Sequence, residues 1–351
     1  MNNPLDTAMK LFEILPSSQT SALLGLVVGL LFGIFAQQSQ FCLRAACIEF
    51  WRKNPSSKFI IWLLAFSSAL ILTQAFIELG LVSTSDIRQL TSVGSMSGAI
   101  IGGALFGAGM ILARGCASRL LVLSATGNMR ALVSGLVVTI VAQASLRGVL
   151  SPARKEISTI WLVQAHERGF SHLLPDYGGI IFGGLILGIA FYLQKKIRLT
   201  KKAIITSLVT GSCISLGWLL TSLHADNSFD IVAIKSISFT GPSADTLMSL
   251  INSPTINMTF DIGLVPGVFI GSLMAALVTK QFKWQQFTQE TKQARYLIGA
   301  SMMGFGSMLA GGCAVGAGVT GGAILALTAW VALLFMWLSA GITDWLIDRG
   351  E

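Results

Sequence analysis

The stretch "GAGMILARGCASRLL", residues 107–121, interrupts a long apolar run with one thiol, three glycines and two guanidinium groups. Its cysteine, Cys116, lies between the two arginines. A second stretch, "GFGSMLAGGCA" at 304–314, repeats the frame G-x-G-x-x-L-A-x-G-C-A, and its Cys313 follows Cys116 by 197 positions. This recurrence predicts two related halves, each with a cysteine where a glycine-rich motif interrupts an apolar segment.

The composition predicts an integral membrane protein. Of the 351 residues, 53% are hydrophobic and 11% are charged, whereas soluble domains carry about 25% charged residues. A bilayer core about 30 Å thick needs about 20 apolar residues per helix. We therefore expect an all-α protein with one membrane domain over residues 1–351 and about nine transmembrane helices. The candidate spans are roughly 21–36, 59–80, 95–113, 128–146, 178–194, 203–223, 262–279, 295–310 and 322–342.

The basic residues indicate the orientation of these spans, because cytoplasmic loops carry an excess of Lys and Arg. Of the 24 basic residues, 17 fall in one set of alternate loops and 7 in the other, with the densest cluster, "KKIRLTKK", at 195–202. We expect the N-terminus outside and the C-terminus in the cytoplasm. The net charge of +8 has this topological explanation, so no nucleic-acid partner is expected.

The repeat extends beyond one motif. "SQFCLRA" at 39–45 corresponds to "SISFTGP" at 236–242, with an offset of 198 between the phenylalanines. We predict a first repeat over 20–147, a connecting span over 178–194 and a second repeat over 203–345. Equivalent spans are separated by an odd number of crossings, so the repeat should be inverted, with a site near the repeat interface. Coincidental glycine-rich packing motifs are the alternative.

The five cysteines do not fit a disulfide framework, because their number is odd and they include no C-x-x-C pair. Cys42 and Cys47 are spaced poorly for sharing a metal on one helix face. The three histidines fall in predicted outer loops; they are His166, His172 and His224. We therefore expect no metal site and no cofactor.

Three cysteines are candidates for a substrate pathway: Cys42, Cys116 and Cys313. Each follows an apparent helix break, where glycines let the backbone approach a solute and the N–H groups of the next short helix favour an anion. Neighbouring residues would support the site: Arg114, Gly115, Ala117, Gly312 and Ala314. The halves differ in chemistry, since Cys42 aligns with Thr240 and Arg114 with Gly311. Cys47 and Cys213 are expected to be packing residues, the ordinary role of a buried cysteine.

These motifs resemble the YeeE/YedE family of sulfur-transport, or thiosulfate-uptake, membrane proteins. The resemblance rests on "GIFAQQSQFCLRAA", "IIGGALFGAGMILARGCASRLL", "SATGN" and "MGFGSMLAGGCAVGAGVTGG". It implies an hourglass of membrane helices around short re-entrant helices in a bacterial inner membrane. It also implies that the pathway thiols are Cys42, Cys116 and Cys313, and that a cytoplasmic sulfurtransferase of the TusA type consumes the substrate.

Thiosulfate is a dianion with a soft terminal sulfur, so thiols and backbone amides suit it. We expect a thiosulfate transporter, surrounded by membrane lipids, in which thiols relay the ion by weak S–H···S contacts without enzymatic turnover. No carboxylate is clearly central and no Walker-type loop is present, so downhill uptake is one option and the sequence leaves the energy coupling open. The alternatives are a membrane sulfurtransferase that passes sulfane sulfur through a cysteine persulfide, a transporter of another sulfur or selenium solute, and a purely structural protein.

Overall fold

The computed structural model describes residues 16–53, 56–170, 175, 177–252, 257–286 and 293–348. This part of the chain is almost entirely helical, and its one sheet is a two-residue antiparallel ladder between Gly94–Ser95 and Leu162–Val163. The prediction of an all-α membrane protein is confirmed. Nine helical segments in the described residues are long and apolar enough to cross a bilayer: Ser17–Trp51, Ser57–Glu78, Met96–Ala125, Met129–Arg147, Gly178–Ile197, Lys201–Asp226, Phe260–Val278, Gln293–Ala323 and Leu327–Ile347.

Three of these segments are broken into a long helix and a shorter helical piece. The α-helices in chain order are α1 (Ser17–Ser39), α2 (Leu43–Trp51), α3 (Ser57–Glu78), α4 (Arg88–Thr91), α5 (Met96–Leu112), α6 (Ala117–Ala125), α7 (Met129–Arg147), α8 (Ser151–Thr159), α9 (Gly178–Ile197), α10 (Lys201–Asp226), α11 (Thr240–Asn252), α12 (Phe260–Val278), α13 (Gln293–Leu309), α14 (Gly321–Ala323) and α15 (Leu327–Thr343). A π-helical segment, Ala314–Thr320, leads from the break after α13 into α14, and a second one, Asp344–Asp348, follows α15.

Glycines line the most extensive helix contact in the described part of the chain, between α1 and α12. Both helices carry glycine at every fourth position along the shared face: Gly25, Gly29 and Gly33 on α1, and Gly263, Gly267 and Gly271 on α12. A Cβ atom at any of these positions would overlap a backbone carbonyl oxygen of the other helix. Small residues that let two backbones approach this closely are typical of helix pairs in membranes.

The long helices contact each other in pairs that match between the two halves of the chain. Helix α1 packs against α12, and α10 packs against α3. Likewise α5 packs against α15, and α13 packs against α7. Helix α5 also packs against α13, and α1 against α10. The connecting helix α9 packs mainly against α3, and few of its residues are buried.

One predicted histidine position is wrong. His224 was expected in an outer loop, but it belongs to the last turn of α10 and is only 4% exposed. Its Nε2 atom lies 3.0 Å from the carbonyl oxygen of Ser17, so the ring is buried with a hydrogen-bond partner. His172 lies outside the described residues, and the backbone of His166 forms a short 3-10 turn, Ala165–Glu167.

Candidate substrate pathway

Each candidate cysteine stands at the N-cap of a short helical segment. Cys42 precedes α2, Cys116 precedes α6, and Cys313 precedes the π-helical segment 314–320, with extended backbone at all three. The first N–H groups of a helix have no partner within it, and the helix dipole makes this end favourable for negative charge. The three thiols therefore lie where the backbone is best suited to an anion.

The backbone adopts a left-handed conformation just before two of these cysteines. Arg114 has φ 54° and Gly311 has φ 79°, both in the left-handed region, and both residues are exposed. An ordinary L-residue in this region is disfavoured by about 1–2 kcal/mol, so glycine is the usual choice. Arg114 and Gly311, which correspond in the two repeated motifs, thus share a backbone conformation, although one of them is arginine.

Cys42 and Cys116 are brought together although 74 positions separate them in the chain. Their thiols lie within interaction range of each other, and the Sγ atom of Cys116 lies 3.4 Å from the Oγ atom of Ser118. Both cysteines are buried, at 8% and 1% exposure. Two of the three predicted pathway thiols therefore form a single pair inside the bundle.

Positive charge and amide groups surround this thiol pair. Arg44 and Arg119 both lie within electrostatic range of Cys42. The Nη1 atom of Arg119 donates to the Oε1 atom of Gln37 at 3.5 Å, and Gln37 Nε2 donates to Gln281 Oε1 at 3.2 Å. Sequence reasoning did not bring these two glutamines into the candidate site, although Gln37 marks the point where the first predicted span stops.

Cys313 lies in a second, tightly packed part of the site. It is 1% exposed, and its Sγ atom accepts a hydrogen bond from the backbone N–H of Gly316 at 3.4 Å. The π-helical segment packs against an extended stretch, 235–239, where Thr320 Oγ1 donates to the carbonyl oxygen of Ile237 at 2.6 Å. The segment also contacts α6. The helical pieces that follow Cys116 and Cys313 are therefore neighbours in the core.

The supporting residues differ in their surroundings. Gly115, Ala117, Gly312 and Ala314 are buried beside their cysteines, whereas Arg114 is exposed. Ala117 lines a cavity of about 200 Å³ between α6, α7, α11 and α12, whose walls are almost entirely apolar. Such walls favour hydrocarbon over a dianion, so this cavity suits lipid chains better than the substrate.

The other two cysteines lie in apolar packing. Cys47 is fully buried within α2. Cys213, at 3% exposure, lies on α10 beside an apolar cavity bounded by side chains of α1 and α3. In the described part of the chain, no group of three or more His, Cys, Asp or Glu side chains is placed to hold a metal ion.

A multi-pass helical bundle that buries thiols at breaks in its helices, with amides and arginines around them, defines a membrane transport protein. The family model for sulphur transport matches residues 38–342, and the chain belongs to that family. This confirms the resemblance inferred from the motifs.

Two relatives match nearly the whole chain. The chain is 25% identical over 350 residues to the thiosulfate transporter TsuA of Escherichia coli (strain K12), covering 92% of this chain and 94% of that protein. It is 28% identical over 346 residues to the thiosulfate transporter TsuA of Spirochaeta thermophila, covering 93% of this chain and 98% of that protein.

Proposed function

We propose that this protein carries thiosulfate, or a closely related sulfur anion, across the bacterial inner membrane into the cytoplasm. The observation that carries the proposal is the buried thiol pair of Cys42 and Cys116, with Cys313 at a break whose following segment contacts α6. The names of the two relatives support thiosulfate as the substrate.

The thiols would act as weak, successive contacts for the terminal sulfur of the ion. A conducting site must bind well enough to admit the ion and weakly enough to release it, and a neutral thiol is a weak donor. The nearby arginines and helix N-termini would offset the charge of the oxygens. Moving a dianion inward against 100 mV costs about 4.6 kcal/mol, at about 2.3 per charge, so cytoplasmic consumption would have to drive uptake.

The two halves would form an inverted repeat around this path. The reciprocal contacts support this proposal, because α1 with α12 and α3 with α10 are the same pair exchanged between halves. Matching bounds support it too, since α5 and α13 each have 17 residues and begin 197 positions apart. The hourglass shape implied by the family resemblance would place the cysteines at the narrow centre.

The orientation proposed from the loop charges puts residues 195–202 in the cytoplasm and residues 164–170 outside. Cys42, beside Arg44, would then be the exit station. A cytoplasmic sulfurtransferase of the TusA type would take the released ion. Such an acceptor would keep the free concentration low and maintain a downhill gradient.

A membrane sulfurtransferase is the second candidate, and the pairing of two thiols near Arg119 favours it, because a nearby cation stabilises a thiolate. In that reaction a cysteine thiolate would attack the outer sulfur of thiosulfate, forming a persulfide and releasing sulfite. The thiosulfate ion would then not cross intact.

Uptake by liposomes that contain this protein alone tests the proposal. We expect saturable entry of labelled thiosulfate that protein-free liposomes do not show and that excess unlabelled thiosulfate suppresses. Entry no faster than into protein-free liposomes would overturn the transport function.

A further inference from the structure

Arg168 is a partly buried cation whose hydrogen-bond partners are all neutral. Its Nη1 atom donates to the carbonyl oxygen and the Oγ atom of Ser92 at 2.8 and 3.0 Å, and its Nη2 atom donates to Thr328 Oγ1 at 3.2 Å. The Nε atom is buried without a hydrogen-bond partner. Burial, and then the neighbouring Arg88, lower the pKa of this guanidinium. The site thus holds positive charge that none of these partners neutralises.

The guanidinium lies over the helix break that contains Cys313. With Gln89, whose amide oxygen is buried, and six residues near the break, it lines a cavity of about 30 Å³. These six are Ala310, Gly311, Ala317, Ala326, Thr328 and Ala329. A volume of this size has room for a water molecule or two. The cavity is therefore a narrow space beside the break that contains Cys313 rather than an open chamber.

The loop that carries Arg168 is fastened to the second half of the molecule. The backbone N–H of Leu327 donates to the carbonyl oxygen of Arg168 at 2.6 Å, and the N–H of Phe170 donates to the carbonyl oxygen of Leu325 at 3.2 Å. These bonds fix the arginine above the chain that runs from Cys313 into α15. The position of the charge over the break is thus set by backbone contacts, not only by a flexible side chain.

The other half of the molecule has a related backbone contact, which is parallel between Asn128 and Gln285, whereas the contact between Gly169 and Ala326 is antiparallel. There the N–H of Met129, 198 positions before Leu327, donates to the carbonyl oxygen of Gln285 at 3.1 Å. The side chain of Gln285 accepts a hydrogen bond from Asn128 Nδ2. The residue whose carbonyl oxygen accepts this bond is thus glutamine in one half and arginine in the other, although the segment around Gln285 also carries Lys283, whose N–H donates to the carbonyl oxygen of Thr126 at 3.2 Å.

Desolvating a guanidinium is expensive unless an opposite charge compensates it. An arriving dianion supplies that charge, and an arginine fork binds oxyanions in a bidentate manner. The Nη donors, which bond only neutral partners, are the ones that such a contact would use. This reasoning rests on the transport function proposed above and extends it to the selection of the ion.

We propose that Arg168 is the anion-selecting residue at the mouth of the Cys313 break, where it binds the oxygens of thiosulfate or another doubly charged sulfur oxyanion. This mouth opens on the face that the loop charges predict to be outside. The ion would displace a neutral partner of the guanidinium and then pass to the thiol of Cys313.

The test compares Arg168→Gln and Arg168→Lys with Lys155→Gln, which removes an exposed charge from the predicted outer face. In liposomes we expect Arg168→Gln to raise the KM for thiosulfate about tenfold or more with little change in the maximal rate. Arg168→Lys should give a smaller rise, and Lys155→Gln should match the wild type. Thermal melting with and without thiosulfate gives a second readout, with a stabilising shift in the wild type that Arg168→Gln lacks.

A wild-type KM and a wild-type melting shift in folded Arg168→Gln would overturn the proposal. If that variant does not fold, a wild-type KM in Arg168→Lys would overturn it equally. Suppose that thiosulfate raises the melting temperature of the wild type but not of Arg168→Gln, and that the wild type takes up no thiosulfate. This result would support the binding site and contradict the transport function. A wild type with neither shift nor uptake would reject both.

Discussion

At the scale of single residues, the five cysteines differ in position and not in burial, since all five are buried. Three of them cap helical segments at chain breaks, whereas Cys47 and Cys213 lie within helices. Position at a break exposes a thiol to the backbone N–H groups of the next segment, as the bond from Gly316 to Cys313 illustrates. We therefore expect function to follow position.

Cys116→Ala should abolish thiosulfate-dependent growth while the protein still inserts and melts normally. Cys213→Ala is the matched control, because it removes an equally buried thiol from apolar packing and should leave growth nearly unchanged. Cys47→Ala should likewise be mild, whereas Cys313→Ala should impair uptake strongly and Cys42→Ala at least partly. Uptake rates normalised to membrane expression measure the difference. Wild-type uptake by Cys116→Ala would show that Cys116 is a packing residue and not part of the pathway.

Asp245 should make the stability of the protein depend on pH. It is half-buried in a polar cavity of about 580 Å³ between α7, α11 and α12, and its pKa is raised, first by burial and then by Asp261, against the opposing effects of Arg147 and Lys235. The folded state therefore binds this proton more tightly than the unfolded state, and the stability contribution is lost as pH rises through the raised pKa.

Asp245→Asn cannot ionise, so the variant should melt at a higher temperature than the wild type above that pKa. The advantage should shrink toward pH of about 4, the range of an ordinary Asp. Melting curves of both proteins across this pH range are the measurement. A difference that stays constant with pH would show that ionisation of Asp245 does not limit stability.

At the scale of elements, the sequence motifs predicted where the spans break but not what form the broken pieces take. The last span was expected from residue 322, whereas residues 314–320 form a π-helical segment and α15 begins at Leu327. Comparing the two motifs could not reveal the π-helical segment, because that segment packs against residues 235–239, which lie far away in the sequence. The end of α10 was missed for a similar reason, since the ring of His224 is satisfied by a carbonyl of α1.

The α1–α12 contact should tolerate no added methyl group. In Gly267→Ala the new Cβ atom would overlap the carbonyl oxygen of Leu26, and overpacking of this kind costs about 1–3 kcal/mol. Gly188→Ala on α9 is the control, because nothing lies within 4 Å of its added methyl group. We expect Gly267→Ala to melt at a lower temperature than the wild type and Gly188→Ala to melt at the wild-type temperature. Equal melting temperatures would contradict the close approach of α1 and α12.

At the scale of the whole molecule, the sequence predicted the class, the number of spans and the family, because composition and repeated motifs are local properties. It could not predict which breaks meet. Cys42 and Cys116 lie within interaction range because the breaks before α2 and α6 meet in the core, and that follows only from how the spans pack. Gln281 joins the same region across 244 positions from Gln37, beyond the reach of any motif.

The predicted orientation can be measured by labelling introduced cysteines from one side of the membrane. Arg198→Cys lies at the exposed end of α9 and Phe229→Cys in an exposed loop after α10. We expect an impermeant thiol reagent added to intact cells to label residue 229 and not residue 198. The wild type is the control, since its five thiols are buried. Labelling of residue 198 from outside would end the proposed topology.

The central claim is that intact thiosulfate crosses along the three capping thiols. Its most direct test supplies thiosulfate with different isotopes on the inner and outer sulfur to liposomes that contain only this protein. The transport account predicts that both isotopes enter in the supplied ratio, and that the Cys116→Ala protein admits neither faster than protein-free liposomes. Outer sulfur bound to the protein while inner sulfur remains outside as sulfite would contradict the account and establish a sulfurtransferase instead.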